Sequence, residues 1–240
     1  MSIIPVKYHK SWNSFMNKEN IEKLKEIEGK ISDNFYPNKG DVLRFLNLDL
    51  EEIKCIVVGM EPYPSSFVKD NKTIPEATGR SFEIKSLEHK TWQDKFKQSS
   101  LRNILKTIYY NETNEVKNLD EVRRKIKDDE FKVLNPHDWF NDLEKQGVLF
   151  LNATLTVKPG VVDSHTLIWK SFMEELFLYI QEKNKDVKWL LWGEKAQKRV
   201  IPTIKDKNNI VCSCHPRLND FIKENCFKEV KDIEWTGNIK

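Results

Sequence analysis

The sequence predicts an α/β fold: a single domain with a central four-stranded parallel sheet flanked by helices. Three observations carry that expectation. Four short apolar runs, Ile53–Val58, Val148–Leu151, Val187–Trp192 and Asn209–Ser213, have the length and near-continuous hydrophobicity of strands buried on both faces. Stretches of helical period lie between them, clearest where Ile168, Phe172, Leu176 and Ile180 step by four along one face. No internal repeat and no evident linker divides the 240 residues, so alternating strands and helices argue for βαβ units in one body, with residues 1–35 as an N-terminal helical extension.

From the N-terminus, Trp12, Phe15, Ile21, Leu24 and Ile27 fall mostly at helical spacing over residues 11–28, interrupted by a polar patch at 17–20, with Gly29 as the expected stop. Residues 35–40 carry turn chemistry, and Asp41 starts a short amphipathic piece with Val42, Leu43, Phe45 and Leu46. The first strand then breaks at Gly59 and delivers Met60, Glu61, Pro62, Tyr63 and Pro64 on a loop stiffened by its prolines. Residues 65–78 are polar and read as irregular. Gly79–Ile84 follows with an aromatic, Phe82, able to fold back over the loop. A helix begins near Ser99 and Ser100, whose serines are expected at its N-cap beside backbone N–H groups suited to a phosphate. The most charged tract, 111–130, reads as solvated surface. The second strand ends at Asn152, His165 opens the long helix, Gly193 follows the third strand, and the fourth ends at Cys214, His215, Pro216, Arg217 and Leu218.

Composition excludes several classes. The chain is 39% hydrophobic and 32% charged, with no apolar run approaching the roughly 20 residues that a bilayer requires. Met1–Lys10 has no apolar stretch before a cleavage site, so a cytoplasmic location without membrane attachment is expected. A net charge of +3 from 40 basic and 37 acidic side chains is too balanced to announce a nucleic-acid binder. The four cysteines show no C-x2-C spacing and are expected as reduced, structural thiols; Cys55 and Cys212, in strand-like runs, are expected to be buried.

In a parallel sheet the carboxyl ends of the strands share one rim, which places Glu61, Asn152 and His215 together. A carboxylate can orient water or stabilise a cation, a carboxamide can pair with the edge of a nucleobase, and an imidazole can donate to an anionic oxygen. At these residues the chain resembles the family 1 uracil-DNA glycosylases. The family's Gly-Gln-Asp-Pro-Tyr-His is similar to Gly59–Pro64, and its Leu-Leu-Asn…Leu-Thr-Val to Phe150–Val157. Its Ser-His resembles Ser164 and His165, and its His-Pro-Ser-Pro-Leu loop resembles His215–Leu218. Segments Ser100–Ile104 and Leu190–Lys198 also match, in the family's order.

The resemblance implies a monomeric, cofactor-free and metal-free enzyme that flips deoxyuridine out of single- or double-stranded DNA and hydrolyses its N-glycosidic bond. Carried over, Glu61 and His215 are the catalytic pair. Met60, Tyr63, Phe82 and Asn152 bind the base, with Phe82 stacking and Tyr63 crowding the place of thymine's methyl. Pro64, Ser100, Ser164, His165, Arg217 and Leu218 face DNA, Leu218 as the wedge. A DNA-mimicking protein inhibitor is an implied partner. Glu61 stands where the family has Asp, Met60 where it has Gln, Pro64 where it has His and Arg217 where it has Ser. Those departures support a second reading, a DNA-binding replication accessory of weak or no activity on the same fold.

Overall fold

A computed structural model describes residues 2–238. Its centre is a four-stranded sheet of β1 (Cys55–Gly59), β4 (Val148–Asn152), β5 (Lys188–Trp192) and β6 (Ile210–Ser213). The spatial order is β4-β1-β5-β6 and every pairing is parallel. Side chains alternate across a pleated strand, and the sheet therefore feeds two cores. Ile56, Val58, Leu149, Leu151, Trp189 and Leu191 face one, which α1 (Lys18–Ile31) and α5 (Thr166–Lys183) cover. Val57, Val148, Phe150, Leu190 and Trp192 face the other, covered by α2 (Ser99–Thr113), α3 (Leu119–Lys127), α4 (Pro136–Lys145) and α7 (Asp220–Glu224). Helix α6 (Glu194–Val200) follows β5. Residues preceding position 35 give Ile3, Trp12, Phe15, Leu24, Ile27 and Ile31 to the first core, and the Trp12 indole donates to the Leu48 carbonyl at 2.8 Å. Among the described residues no helix is long and apolar enough to cross a membrane.

Four local expectations are corrected. Gly29 lies inside α1, which is capped by Asn17 and runs to Ile31 because Leu24, Ile27 and Ile31 are buried along one face. That packing outweighs the ~1 kcal/mol helix penalty of one glycine. Residues 65–78 hold an antiparallel hairpin of β2 (Ser66–Lys69) and β3 (Lys72–Pro75), turning at Asp70 and Asn71, both at positive φ. Its strands are largely exposed and so carry no hydrophobic alternation. The cap of α2 is Gln98, with Ser99 and Ser100 already inside the helix. The charged tract is solvated surface as expected, part of it the exposed helix α3, held by a capping box between Asn118 and Glu121 and anchored by buried Val122. Cys212 is exposed, because β6 is an edge strand whose outer part the helices leave uncovered, whereas Cys55 is buried.

Candidate active site

The carboxyl ends of the four strands do form one rim. Gly59 of β1 lies directly opposite Asn152 of β4, and the two chains continue together as Ala153 and Thr154 donate to the carbonyls of Gly59 and Met60. A side chain at position 59 is excluded by contact: a Cβ there would stand 2.5 Å from Asn152 Oδ1 and 2.7 Å from Ser81 Cβ. Asn152 is 3% exposed, and its carboxamide makes no hydrogen bond to any described residue. Its polar atoms are not among the fully enclosed ones left without a partner, so its donor and its acceptor are open to a ligand.

Phe82 reaches the same rim from the segment after β3. Its neighbour Ser81 donates from Oγ to the Val57 carbonyl at 2.9 Å and from its backbone N to Phe150 at 3.4 Å, bridging β1 and β4. Phe82 itself has φ of 65°, in the left-handed region, which costs a non-glycine residue on the order of 1–2 kcal/mol. Its ring centroid lies 4.9 Å from Trp192 and 6.2 Å from His215.

On the first loop, the Met60 N–H finds no acceptor among the described residues, and the Pro64 carbonyl accepts from Gly160 N at 2.9 Å. Burial pushes the Tyr63 phenol well up. Both Glu61 oxygens accept from the Asp163 N–H, at 2.8 and 3.1 Å, and Asp163 in turn pairs with Lys195 at 3.2 Å. Burial raises the Glu61 carboxyl above the usual carboxylate range, and the Asp163 charge adds to it against the Asp163 amide and Lys195.

His215 is fixed from several sides. Its Nδ1 accepts the Arg217 N–H at 3.1 Å. A backbone N–H only donates, so in this arrangement Nδ1 is unprotonated and the proton sits on Nε2. Burial, then the Arg217 charge, hold the imidazole below its ordinary pKa, consistent with a neutral ring. Asn103 of α2 ties down the same loop, donating to the carbonyls of Pro216 at 2.6 Å and Leu218 at 3.0 Å. Gly193, at φ of +98°, gives way beneath it: a Cβ there would come 2.9 Å from His215 Cβ. Tyr63, Ser100, His215 and Arg217 line one open depression of about 290 Å³ with Lys97 at its edge.

Thus Glu61, Asn152, His215, Phe82, Tyr63 and Met60 share the rim. Arg217 is exposed, as is Leu218 at 47%. Ser100 is buried but lines the depression. Ser164 and His165 are placed differently. The Ser164 hydroxyl accepts from Lys158 N at 2.8 Å, and His165 is buried with Nδ1 2.9 Å from Thr156 Oγ1, which also accepts from the Trp169 indole. Both brace the loop between β4 and α5, Ser164 half-buried and His165 enclosed. Sequence reasoning missed Asn103, Ser81 and Gly193 as supports. Only Asn103 left a signal, as an amide on the apolar face of α2 between Leu101 and Ile104, where burial demands a partner.

No established family profile matches the chain. Curated relatives do. A uracil-DNA glycosylase of Buchnera aphidicola subsp. Baizongia pistaciae is 31% identical over 183 residues, covering 75% of this chain and 68% of that protein. The uracil-DNA glycosylase of Buchnera aphidicola subsp. Cinara cedri is 30% identical over 215 residues, covering 83% of this chain and 81% of its own length. Among solved structures, the wild-type UNG of Nitratifractor salsuginis superposes with a TM-score of 0.70 at 17% identity, over 94% of this chain and 91% of that one, a likeness of fold.

Proposed function

The chain belongs to the uracil-DNA glycosylase family, and from that premise we propose how its rim residues divide the work of excising uracil from single- or double-stranded DNA. The protein is a DNA glycosylase that hydrolyses the N-glycosidic bond of deoxyuridine. The observation that best supports the division of labour is the little-exposed Asn152 carboxamide, directly across from Gly59 and without a hydrogen bond to any described residue.

In this reading a flipped uracil stacks on Phe82 and its polar edge takes both the donor and the acceptor of Asn152. Tyr63 fills the space that thymine's methyl would need. The free Met60 N–H and the Nε2–H of His215 donate to the uracil oxygen on which charge gathers as the C1′–N1 bond breaks. That bond's electron pair leaves with uracil. Water adds at C1′ and loses a proton to Glu61, and uracil is protonated on release. A carboxylate offers about four lone-pair sites, so the single Asp163 N–H that orients Glu61 leaves others for water and for the cationic sugar. Glu61 is one methylene longer than an aspartate, and the Asp163 contact takes up the extra reach. Leu218, exposed at the end of the His215 loop, fits the wedge, with Arg217 and Lys97 available to phosphates.

A labelled oligonucleotide with one deoxyuridine, incubated with the protein and then cleaved with alkali at abasic sites, tests this. Strand scission above a no-protein control is expected, together with its loss in Asn152→Asp. Binding in a gel shift without scission at stoichiometric protein would instead favour the accessory reading.

A further inference from the structure

Behind Phe82 lies a buried ionic cluster that the reaction does not use. Arg80 is 3% exposed, and the two terminal nitrogens of its guanidinium donate to Glu83 at 3.0 Å, to Asn141 at 2.7 Å and to Glu144, while Nε has no partner among the described residues. Glu83 also bonds His137 Nδ1 at 3.0 Å, and Arg44 adds a contact to Glu144 at 3.3 Å. His137, Asn141 and Glu144 are spaced four and three apart, so they form one stripe of α4, while Trp139, Phe140 and Leu143 bury the helix in the core. That stripe therefore grips both ends of the four-residue turn Arg80–Glu83.

The turn's two middle residues are Ser81, which is bonded to β1 and β4, and Phe82, whose backbone is held at φ of 65°. Buried ion clusters add little net stability, because desolvation cancels most of their attraction, so their geometry is the more informative property. A planar guanidinium with several fixed donors constrains direction as well as distance.

We propose that Arg80, locked to the Asn141–Glu144 face of α4, is a positioning residue that holds the Phe82 ring at the angle that receives the flipped base. This rests on the reading of Phe82 as the stacking surface. Uracil affinity is therefore set partly from α4, a helix that contributes no residue to the rim.

The test is a double-mutant cycle read as kcat/KM on a deoxyuridine oligonucleotide and as inhibition by free uracil. Arg80→Lys keeps the charge but loses the fork, and Asn141→Ala removes one partner at the partly exposed side and serves should Arg80→Lys fail to fold in a thermal melt. Each is expected to lower kcat/KM and weaken uracil inhibition by about tenfold in the wild-type background and by less than about twofold in the Phe82→Ala background. Equal losses in both backgrounds, or no loss in the wild type, would overturn the positioning role. Failure of the stacking reading is seen separately, as Phe82→Ala alone leaving both measurements unchanged.

Discussion

His215 is held by a bond that its charged form cannot keep. Protonating Nδ1 would set one N–H against the N–H of Arg217, and burial already disfavours the imidazolium. Its folded pKa lies below the ordinary 6.5, so the stability this group contributes is full above that pH and is lost as pH falls through the lower folded value. Nitrogen-15 NMR at pH 7 is expected to show an unprotonated Nδ1 and a protonated Nε2, with the ring titrating below 6.5; a ring already protonated at pH 7 would refute the assignment. At this scale the candidate rim was legible where a residue sits at a strand end, as Asn152 and His215 do, because parallel pairing brings such ends together whatever else the chain contains. Asn103 and Ser81 were not legible as supports. Their partners, Pro216 and Val57, are distant in sequence, and the need for a hydrogen bond does not reveal which carbonyl will answer it.

Among the elements, the sheet strands could be read because burial on both faces makes them nearly continuous runs of apolar residues. The hairpin could not, since its strands bury little, and only the Asp70–Asn71 turn marked it. Helix α4 escaped for another reason. Its polar stripe is directed at Arg80 and Glu83 instead of water, and a sequence pattern does not tell a buried charge from a solvated one. Helix α3 shows the opposite case, a highly charged stretch that folds through its end. The Asn118 side chain accepts from Glu121 N at 2.9 Å, while the Glu121 carboxylate accepts from Asn118 N at 3.0 Å. Asn118→Ala is expected to cost about 1 kcal/mol in a denaturant titration while leaving uracil excision unaltered. An unchanged midpoint would mean that α3 is held by its packing at Val122 alone.

Across the whole molecule, two cores meet on the sheet, and one of them serves the rim: Asn152 has the parity of Val148 and Phe150, which face the same core as Phe82. The near-neutral charge balance makes a broad attractive field for DNA weak, and DNA contact in the proposed reading accordingly rests on local groups such as Arg217 and Lys97. The pairing of Gly59 with Asn152 has a further consequence for inactivation by heat. Because those two residues are the last rung of the β1–β4 ladder, slipping that ladder by one residue would put Leu151 or Ala153 where the carboxamide belongs. The same slip would turn every apolar side chain of β4 to the opposite face of the sheet, which disfavours a structured but inactive intermediate. Residual uracil excision and near-ultraviolet circular dichroism, followed through the same thermal ramp, are expected to fall on one curve, so that an activity measurement doubles as a count of folded molecules.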